Sequence, residues 1–185
     1  MIEQLIYPQD QLPEHLKWQI ISFLRIYYPE GFMGVNRLRD WISTPHNHPV
    51  SIMLVEAGVL ISHTEVVWKE LVHAGEHYKA YGLTGVFTYP PFRGQGYGRQ
   101  IVEAGTAYID GSDGDIGIFH CAPHLQSFYE QCGWSAMAEA TTLVGDYAAP
   151  TVSEEVMMMR FLSEKGRQGQ ATFAQQQLYF GENTW

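Results

Sequence analysis

The chain has 185 residues, 45% of them hydrophobic, 14% aromatic and 17% charged, which suits one ordinary globular domain with a substantial core. Eleven Lys and Arg against twenty Asp and Glu leave a formal charge of −9, a field that repels phosphate backbones and anionic lipid. Nucleic acid and membrane surfaces are therefore excluded as expected partners, and small polycations are favoured.

Pro13 to Tyr28 is the clearest helix: Leu16, Ile20, Phe23, Leu24 and Tyr27 recur at helical spacing, and Pro29 stops it. Asn36 to Ile42 predicts a second, short helix before a Pro/His loop at Thr44–Pro49. The period then changes. Ser51–Val55 and Val59–Val67 are apolar runs separated by Glu56-Ala57-Gly58, the pattern of a β-hairpin. A polar turn at Ala74-Gly75-Glu76 leads into a third strand, His77 to Thr88. After Pro90-Pro91 and a glycine-rich loop comes a helix with Tyr97, Ile101, Ala104, Gly105 and Tyr108 on one face. A short buried strand at Ile116–Phe119 precedes a helix marked by Leu125, Phe128, Tyr129 and Cys132 and ended by Gly133. Two late strands are expected at Ser135–Val144 and Glu154–Leu162.

This order predicts a mixed-sheet α/β domain over residues 1–162. Residues 163–185 form a Gln- and Gly-rich tail that keeps Phe173, Leu178, Tyr179, Phe180 and Trp185, too many aromatics for a solvated segment. The tail is expected to fold back on the domain. No apolar run nears the roughly 18 residues of a membrane-spanning helix. The opening Met1-Ile2-Glu3-Gln4 carries an acid where a secretory signal would carry Lys or Arg. Cys121 and Cys132 make no disulfide framework and are expected as reduced thiols, in keeping with a cytoplasmic location.

The chemistry lies in Tyr89-Pro90-Pro91-Phe92-Arg93-Gly94-Gln95-Gly96-Tyr97-Gly98-Arg99, between a predicted strand and a predicted helix. Alternate glycines let successive N–H groups converge on one concavity, and the following helix adds its own free N–H groups and dipole. That is the physics of a pyrophosphate cradle. A P-loop would need Gly-Lys-Ser/Thr, and here Gly98 is followed by Arg99-Gln100. The G-x-G-x-G spacing of Gly94, Gly96 and Gly98 is also not the G-x-G-x-x-G of a dinucleotide fold.

Arg93-Gly94-Gln95-Gly96-Tyr97-Gly98 resembles the R/Q-x-x-G-x-G/A motif of the GNAT superfamily of acetyl-CoA-dependent N-acetyltransferases. Phe128-Tyr129-Glu130-Gln131-Cys132-Gly133-Trp134 is similar to that family's Y-x-x-x-G-F/W segment. The resemblance implies a central twisted mixed sheet flanked by helices and acetyl-CoA as cosubstrate. It implies CoA contacts from Val86, Phe87 and Thr88 and from Arg93, Gly94, Gln95, Gly96, Tyr97, Gly98 and Arg99. Within the superfamily, Ser62-His63 through Gly85-Val86 and the ending Glu182-Asn183-Thr184-Trp185 look most like the aminoglycoside 2′-N-acetyltransferases. There the tail lines the acceptor site, so Glu182 and Trp185 are implied as acceptor residues, with Tyr27 and Trp41 at the lip. Two departures stand out: Thr84 occupies the place of that group's glutamate base, and Ala122 replaces a frequent Asn.

The implied reaction is direct attack of a small primary amine on the thioester, with a backbone N–H of Val86 or Phe87 meeting the oxyanion. Tyr129 is the expected acid for the departing thiolate. Three routes stay open for the acceptor's proton: His120, Glu65, or water alone. A catalytically silent acyl-CoA-binding module and a peptide N-acetyltransferase are the alternatives, and a homodimer is compatible with either. His46-Asn47-His48 lacks a third ligand in sight, so no metal is expected. Cys121 is unnecessary as an acyl carrier when amine and thioester meet directly.

Overall fold

A computed structural model describes residues 1–185. The chain runs β1 (Glu3–Pro8), α1 (Glu14–Tyr27), β2 (Val50–Glu56), β3 (Val59–His73), β4 (Glu76–Thr88), α2 (Tyr97–Asp110), β5 (Ile116–Cys121) and α3 (Gln126–Glu130). It continues through β6 (Ser135–Ala136), β7 (Thr142–Val144), β8 (Thr151–Val152), β9 (Val156–Phe161), α4 (Glu164–Gln175) and β10 (Leu178–Gly181). Seven strands pair in the order β1-β2-β3-β4-β5-β9-β6, and β10-β7-β8 form a small second sheet. The architecture is mixed α/β, a large mixed sheet with four helices. No helix is long and apolar enough to cross a membrane.

Two compact units divide the chain, and the long strands β3 and β4 contribute to both. The first comprises Met1–Val67 and Thr84–Gly105. Its core is built by one face of α1 (Leu16, Ile20, Ile21, Phe23, Leu24) against Met53, Val55, Leu60 and Phe87, with Phe23 stacked on Phe87 at 3.9 Å. Strand β1 was not foreseen. It is an edge strand, antiparallel to β2 from Glu3↔Val55 to Pro8↔Val50, and only Leu5 and Tyr7 turn toward the core. Two inward side chains give too short an alternation to announce a strand. The expected helix at 36–42 is a 3-10 turn at Gly34–Leu38.

The second unit comprises Trp68–Leu83 and Thr106–Trp185. Here β4 pairs parallel with β5 at Ala80↔Ile116 and Tyr81↔Gly117, and β5 pairs antiparallel with β9 from Ile116↔Phe161 to Cys121↔Val156. Met157 and Met159 enter its core with Ile116, Ile118, Phe173, Leu178 and Phe180. The expected strand Ser135–Val144 is two short strands in different sheets, parted by a turn in which Ala140 N–H bonds the Met137 carbonyl. Tyr108 of α2 is exposed, and Ile101, Val102, Gly105, Thr106 and Ile109 are the buried positions, so the buried face keeps Ile101 and Gly105 of the expected stripe and turns away from Tyr108. Residues 163–185 are ordered structure: Ser163 caps α4 by accepting from Gly166 N–H at 3.0 Å, and β10 pairs parallel with β7.

Candidate active site

Ser62-His63-Thr64-Glu65 are four consecutive polar residues in the middle of β3, and all four are wholly buried. Buried polar groups demand partners, and three of these side chains find theirs on the backbone of Thr84–Thr88. Ser62 Oγ donates to the Phe87 carbonyl at 2.8 Å and shares a hydrogen bond with Thr88 Oγ1 at 2.9 Å. Thr64 Oγ1 donates to the Thr84 carbonyl at 3.3 Å. His63 Nδ1 lies 2.8 Å from the carbonyl of Gly85, whose φ of +57° turns that carbonyl out of ordinary strand geometry. Val86 is half-buried beside this irregularity, and the Phe87 side chain is committed to the core.

Glu65 sits opposite Ser51 in the β2–β3 register, and its Oε1 accepts from Ser51 Oγ at 3.1 Å. Burial pushes its carboxyl up to about 7, although the Ser43 and Ser51 hydroxyls and the Arg39 guanidinium pull the other way. The Glu65 carboxyl has no exposed surface, so any proton it takes from an acceptor amine must reach it through an intervening group.

The strand leads through a turn at Pro90–Phe92 into the glycine loop. Gly94 and Gly96 have φ of +75° and +85°, and nothing lies within 4 Å of the place a Cβ would take at either. No backbone carbonyl of the chain accepts from the N–H groups of Gln95, Gly96, Tyr97 or Gly98. Helix α2, 14 residues long, begins at Tyr97. Open N–H groups at a helix start, left-handed glycines and an exposed concavity fit the pyrophosphate of CoA. Arg93 is held beside this loop, its Nε donating to the Thr88 carbonyl at 3.0 Å and its guanidinium 5.5 Å from the Tyr27 ring. Arg99 pairs with Glu103 at 2.7 Å on the exposed side of α2. Tyr27 stacks on Phe23 at 4.2 Å and stays 46% exposed, while half-buried Trp41 carries the Arg39 guanidinium 4.4 Å above its ring. Glu65, Val86–Thr88, Arg93–Arg99, Tyr27 and Trp41 thus all belong to the first unit.

Tyr129, His120, Glu182 and Trp185 belong to the second. Tyr129 is nearly buried on α3, edge-on to Phe119 at 4.7 Å and to Phe128 at 5.0 Å. His120 is buried with Nε2 2.9 Å from Thr142 Oγ1, while its Nδ1 has no partner. Burial and the Lys69 charge push this imidazole down to about 4, which weighs against a role as proton acceptor at neutral pH. Cys121 is pushed up to about 11 by burial and by Glu155 and Glu130, so it stays a thiol. Trp185 donates its indole N–H to the Ile118 carbonyl at 2.8 Å. Glu182 lines an open cleft of about 580 Å³ with Gly145, Asp146, Tyr147 and Tyr179, and neither carboxylate there has an ion-pair partner.

Sequence reasoning missed His63, Ser51 and Arg39, and the cleft residues Asp146, Tyr147 and Tyr179. A signal existed for the first group, because four polar residues in succession interrupt an otherwise apolar strand. None existed for the second, whose members come together only through the β7–β10 pairing.

The family model of the acetyltransferase (GNAT) domain matches residues 9–137. The chain belongs to the GNAT acetyltransferase family, and it is an acyl-CoA-dependent acetyltransferase with acetyl-CoA as cosubstrate. Among solved structures it is similar to Escherichia coli ElaA, with 14% identity, a TM-score of 0.59, and 86% of this chain and 99% of that one covered. An acyl-CoA N-acyltransferase from Pseudomonas aeruginosa gives 16% identity, a TM-score of 0.58 and the same coverages. An aminoglycoside 6′-N-acetyltransferase complexed with coenzyme A gives 12% and 0.60, with 86% and 97% covered. Identities this low speak for the fold alone. No curated protein sequence matches the chain.

Proposed function

We propose that the chain transfers the acetyl group of acetyl-CoA to a primary amine of a small cationic acceptor, with aminoglycoside-like polycations the first class to consider. The observation that carries the acceptor class is the cleft of the second unit. Asp146 and Glu182 face it without cationic partners, and the Tyr147 and Tyr179 rings meet edge-on at 5.0 Å. Tyr179 is fixed by donating its hydroxyl to the Gly145 carbonyl at 2.7 Å. Aromatic faces and free carboxylates suit an organic ammonium, and the net charge of −9 draws one in.

Transfer proceeds by direct attack. The neutral amine adds to the thioester carbonyl, the N–H of Val86 or Phe87 stabilises the oxyanion, and collapse expels the thiolate, which takes a proton from Tyr129. Glu65 is enclosed and His120 weakly basic, so the acceptor's proton leaves to water. Buried reduced cysteines agree with a cytoplasmic setting. The test is CoA-thiol release from acetyl-CoA across aminoglycosides, polyamines and basic peptides, in wild type and Tyr129→Phe. Turnover confined to small polycations and lost in the variant is expected. Turnover with peptides only would replace the acceptor class.

A further inference from the structure

We propose that Glu65, Ser51 and His63 form one hydrogen-bonded chain that positions Gly85 in the acetyl-CoA-binding strand, and that the proton on Glu65 decides whether the chain is closed. The proposal rests on the reading that the Thr84–Thr88 backbone receives acetyl-CoA. None of the three side chains has any exposed surface, so each acts on the ligand only through its neighbour.

The argument is an accounting of hydrogens. A carbonyl only accepts, so the 2.8 Å contact with Gly85 places a proton on His63 Nδ1. Burial holds His63 neutral, its pKa near 4, which leaves Nε2 as a bare acceptor 3.5 Å from Ser51 Oγ. Ser51 has one hydroxyl hydrogen and two claimants, Glu65 Oε1 at 3.1 Å and His63 Nε2. When Glu65 is ionised, the charged acceptor takes the hydrogen and His63 Nε2 goes without. When Glu65 is protonated, its O–H can donate to Ser51 Oγ, the hydroxyl turns to His63, and His63 donates to Gly85. Every member then points the same way, and the carbonyl of the left-handed Gly85 is anchored from end to end.

The groups facing this chain are few. The Ser43 hydroxyl favours the charged form of Glu65, and Arg39 supplies the one opposing charge, with Arg25 acting on Arg39 in turn. Against His63 lie Gly85 and the Phe87 ring, 5.2 Å away. Two of the polar atoms here lack partners, Glu65 Oε2 and Arg39 Nε. With burial opposing Ser43, Ser51 and Arg39, Glu65 changes charge near pH 7. Ser51 and His63 are the side-chain route by which that event reaches the Gly85 carbonyl.

The test needs no acceptor. Backbone amide resonances of Gly85 and Val86 are followed from pH 5.5 to 8.5 in wild type, Glu65→Gln and His63→Asn, and acetyl-CoA affinity is measured by calorimetry over the same range. Gln keeps the donating arrangement of a protonated carboxyl, and Asn keeps a donor for the Gly85 carbonyl without the link to Ser51. Wild type is expected to show a titration of Gly85 and Val86 near pH 7, absent from both variants. Its acetyl-CoA affinity should fall about fivefold, relative to Glu65→Gln, on passing to high pH. Resonances that do not titrate in wild type, or titrate equally in Glu65→Gln, would overturn the chain. Titrating resonances with identical affinity profiles would overturn its positioning role. A failure of the underlying reading shows separately, as acetyl-CoA affinity indifferent to Gly96→Asp.

Discussion

The indole Nε1 of Trp185, the last residue, donates to the carbonyl of Ile118 at 2.8 Å, one residue beyond the end of the β4–β5 ladder. The paired positions are Ala80↔Ile116 and Tyr81↔Gly117, and at the next step the tryptophan takes the carbonyl that a strand partner would have used. Gly82 makes room for it, since a Cβ there would collide with the indole and with the Ile118 carbonyl. The ring also meets Phe180 edge-on at 5.0 Å and lies 4.5 Å from the Lys69 ammonium. Trp185 is thus a wedge in the sheet, whatever else it touches.

Trp185→Phe should cost about 1–2 kcal/mol, because the ring volume is largely kept while the Ile118 carbonyl loses its donor. Gly82→Ala should cost more, by displacing the indole altogether. Urea midpoints of the two variants check the order. A Trp185→Phe midpoint equal to wild type would mean that water replaces the indole without loss.

Gly96→Asp should abolish acetyl-CoA binding while costing only about 1–2 kcal/mol of stability, that of a non-glycine residue in a left-handed conformation. The residue is exposed with nothing near its missing Cβ, so the fold tolerates the bulk, apart from the strain of φ +85°. The carboxylate would stand where a pyrophosphate approaches the helix start. Calorimetry for binding and a melting curve for stability separate the two effects, and undiminished affinity would sink the cradle.

The parts of this protein that sequence made legible are those with local physics. The glycine loop announces itself because left-handed glycines before a helix have few other uses, and α1 does so because Leu16, Ile20 and Phe23 repeat along one face. The tail was harder. Phe173, Leu178 and Phe180 announce only that the tail folds back, and they are core residues of the second unit. Deleting Phe173–Trp185 would therefore remove core as well as any acceptor contacts. The environments of Glu65 and His120 were not legible for one reason: burial is a tertiary property, and it moved one carboxyl up to about 7 and one imidazole down to about 4.

Glu65→Gln should gain stability over wild type as pH rises. The folded carboxyl, near 7 against an ordinary 4.5, holds its proton more tightly than the unfolded chain does. Wild-type stability from this group is full below pH 4.5 and is lost as pH climbs through 7, a loss on the order of 3 kcal/mol. Glutamine does not titrate. It leaves Arg39 without a charged neighbour, but that penalty is constant across the window. Denaturation at pH 5 and pH 8 should show the difference between variant and wild type growing with pH, and a constant difference would place the Glu65 pKa elsewhere.

His120 works in the opposite sense. Its folded pKa near 4 lies below the ordinary 6.5, so the unfolded chain takes up the proton first as pH falls. Stability present above pH 6.5 is lost toward pH 4, again on the order of 3 kcal/mol. His120→Gln, which keeps a group for Thr142 Oγ1, should flatten this acid limb while leaving stability at pH 8 within about 1 kcal/mol. Guanidinium titrations at pH 5 and 8 measure it, and equal acid sensitivity in both proteins would show that His120 does not carry the effect.

The cleft gives the last prediction. Asp146 and Glu182 have no cationic partner to lose, so Asp146→Asn with Glu182→Gln should leave the fold and acetyl-CoA affinity unchanged. Asp146 Oδ1 accepts from Ala148 N–H at 2.8 Å, and asparagine retains that acceptor. If the cleft holds the ammonium groups of the acceptor, the double variant should raise the acceptor KM about tenfold for polycations and far less for a monoamine, with kcat little altered. Steady-state kinetics at two salt concentrations would also show the wild-type KM rising with ionic strength and the variant's scarcely moving. A KM unchanged for every amine would remove the cleft from acceptor recognition and leave the net charge of −9 as the remaining argument for a cationic substrate.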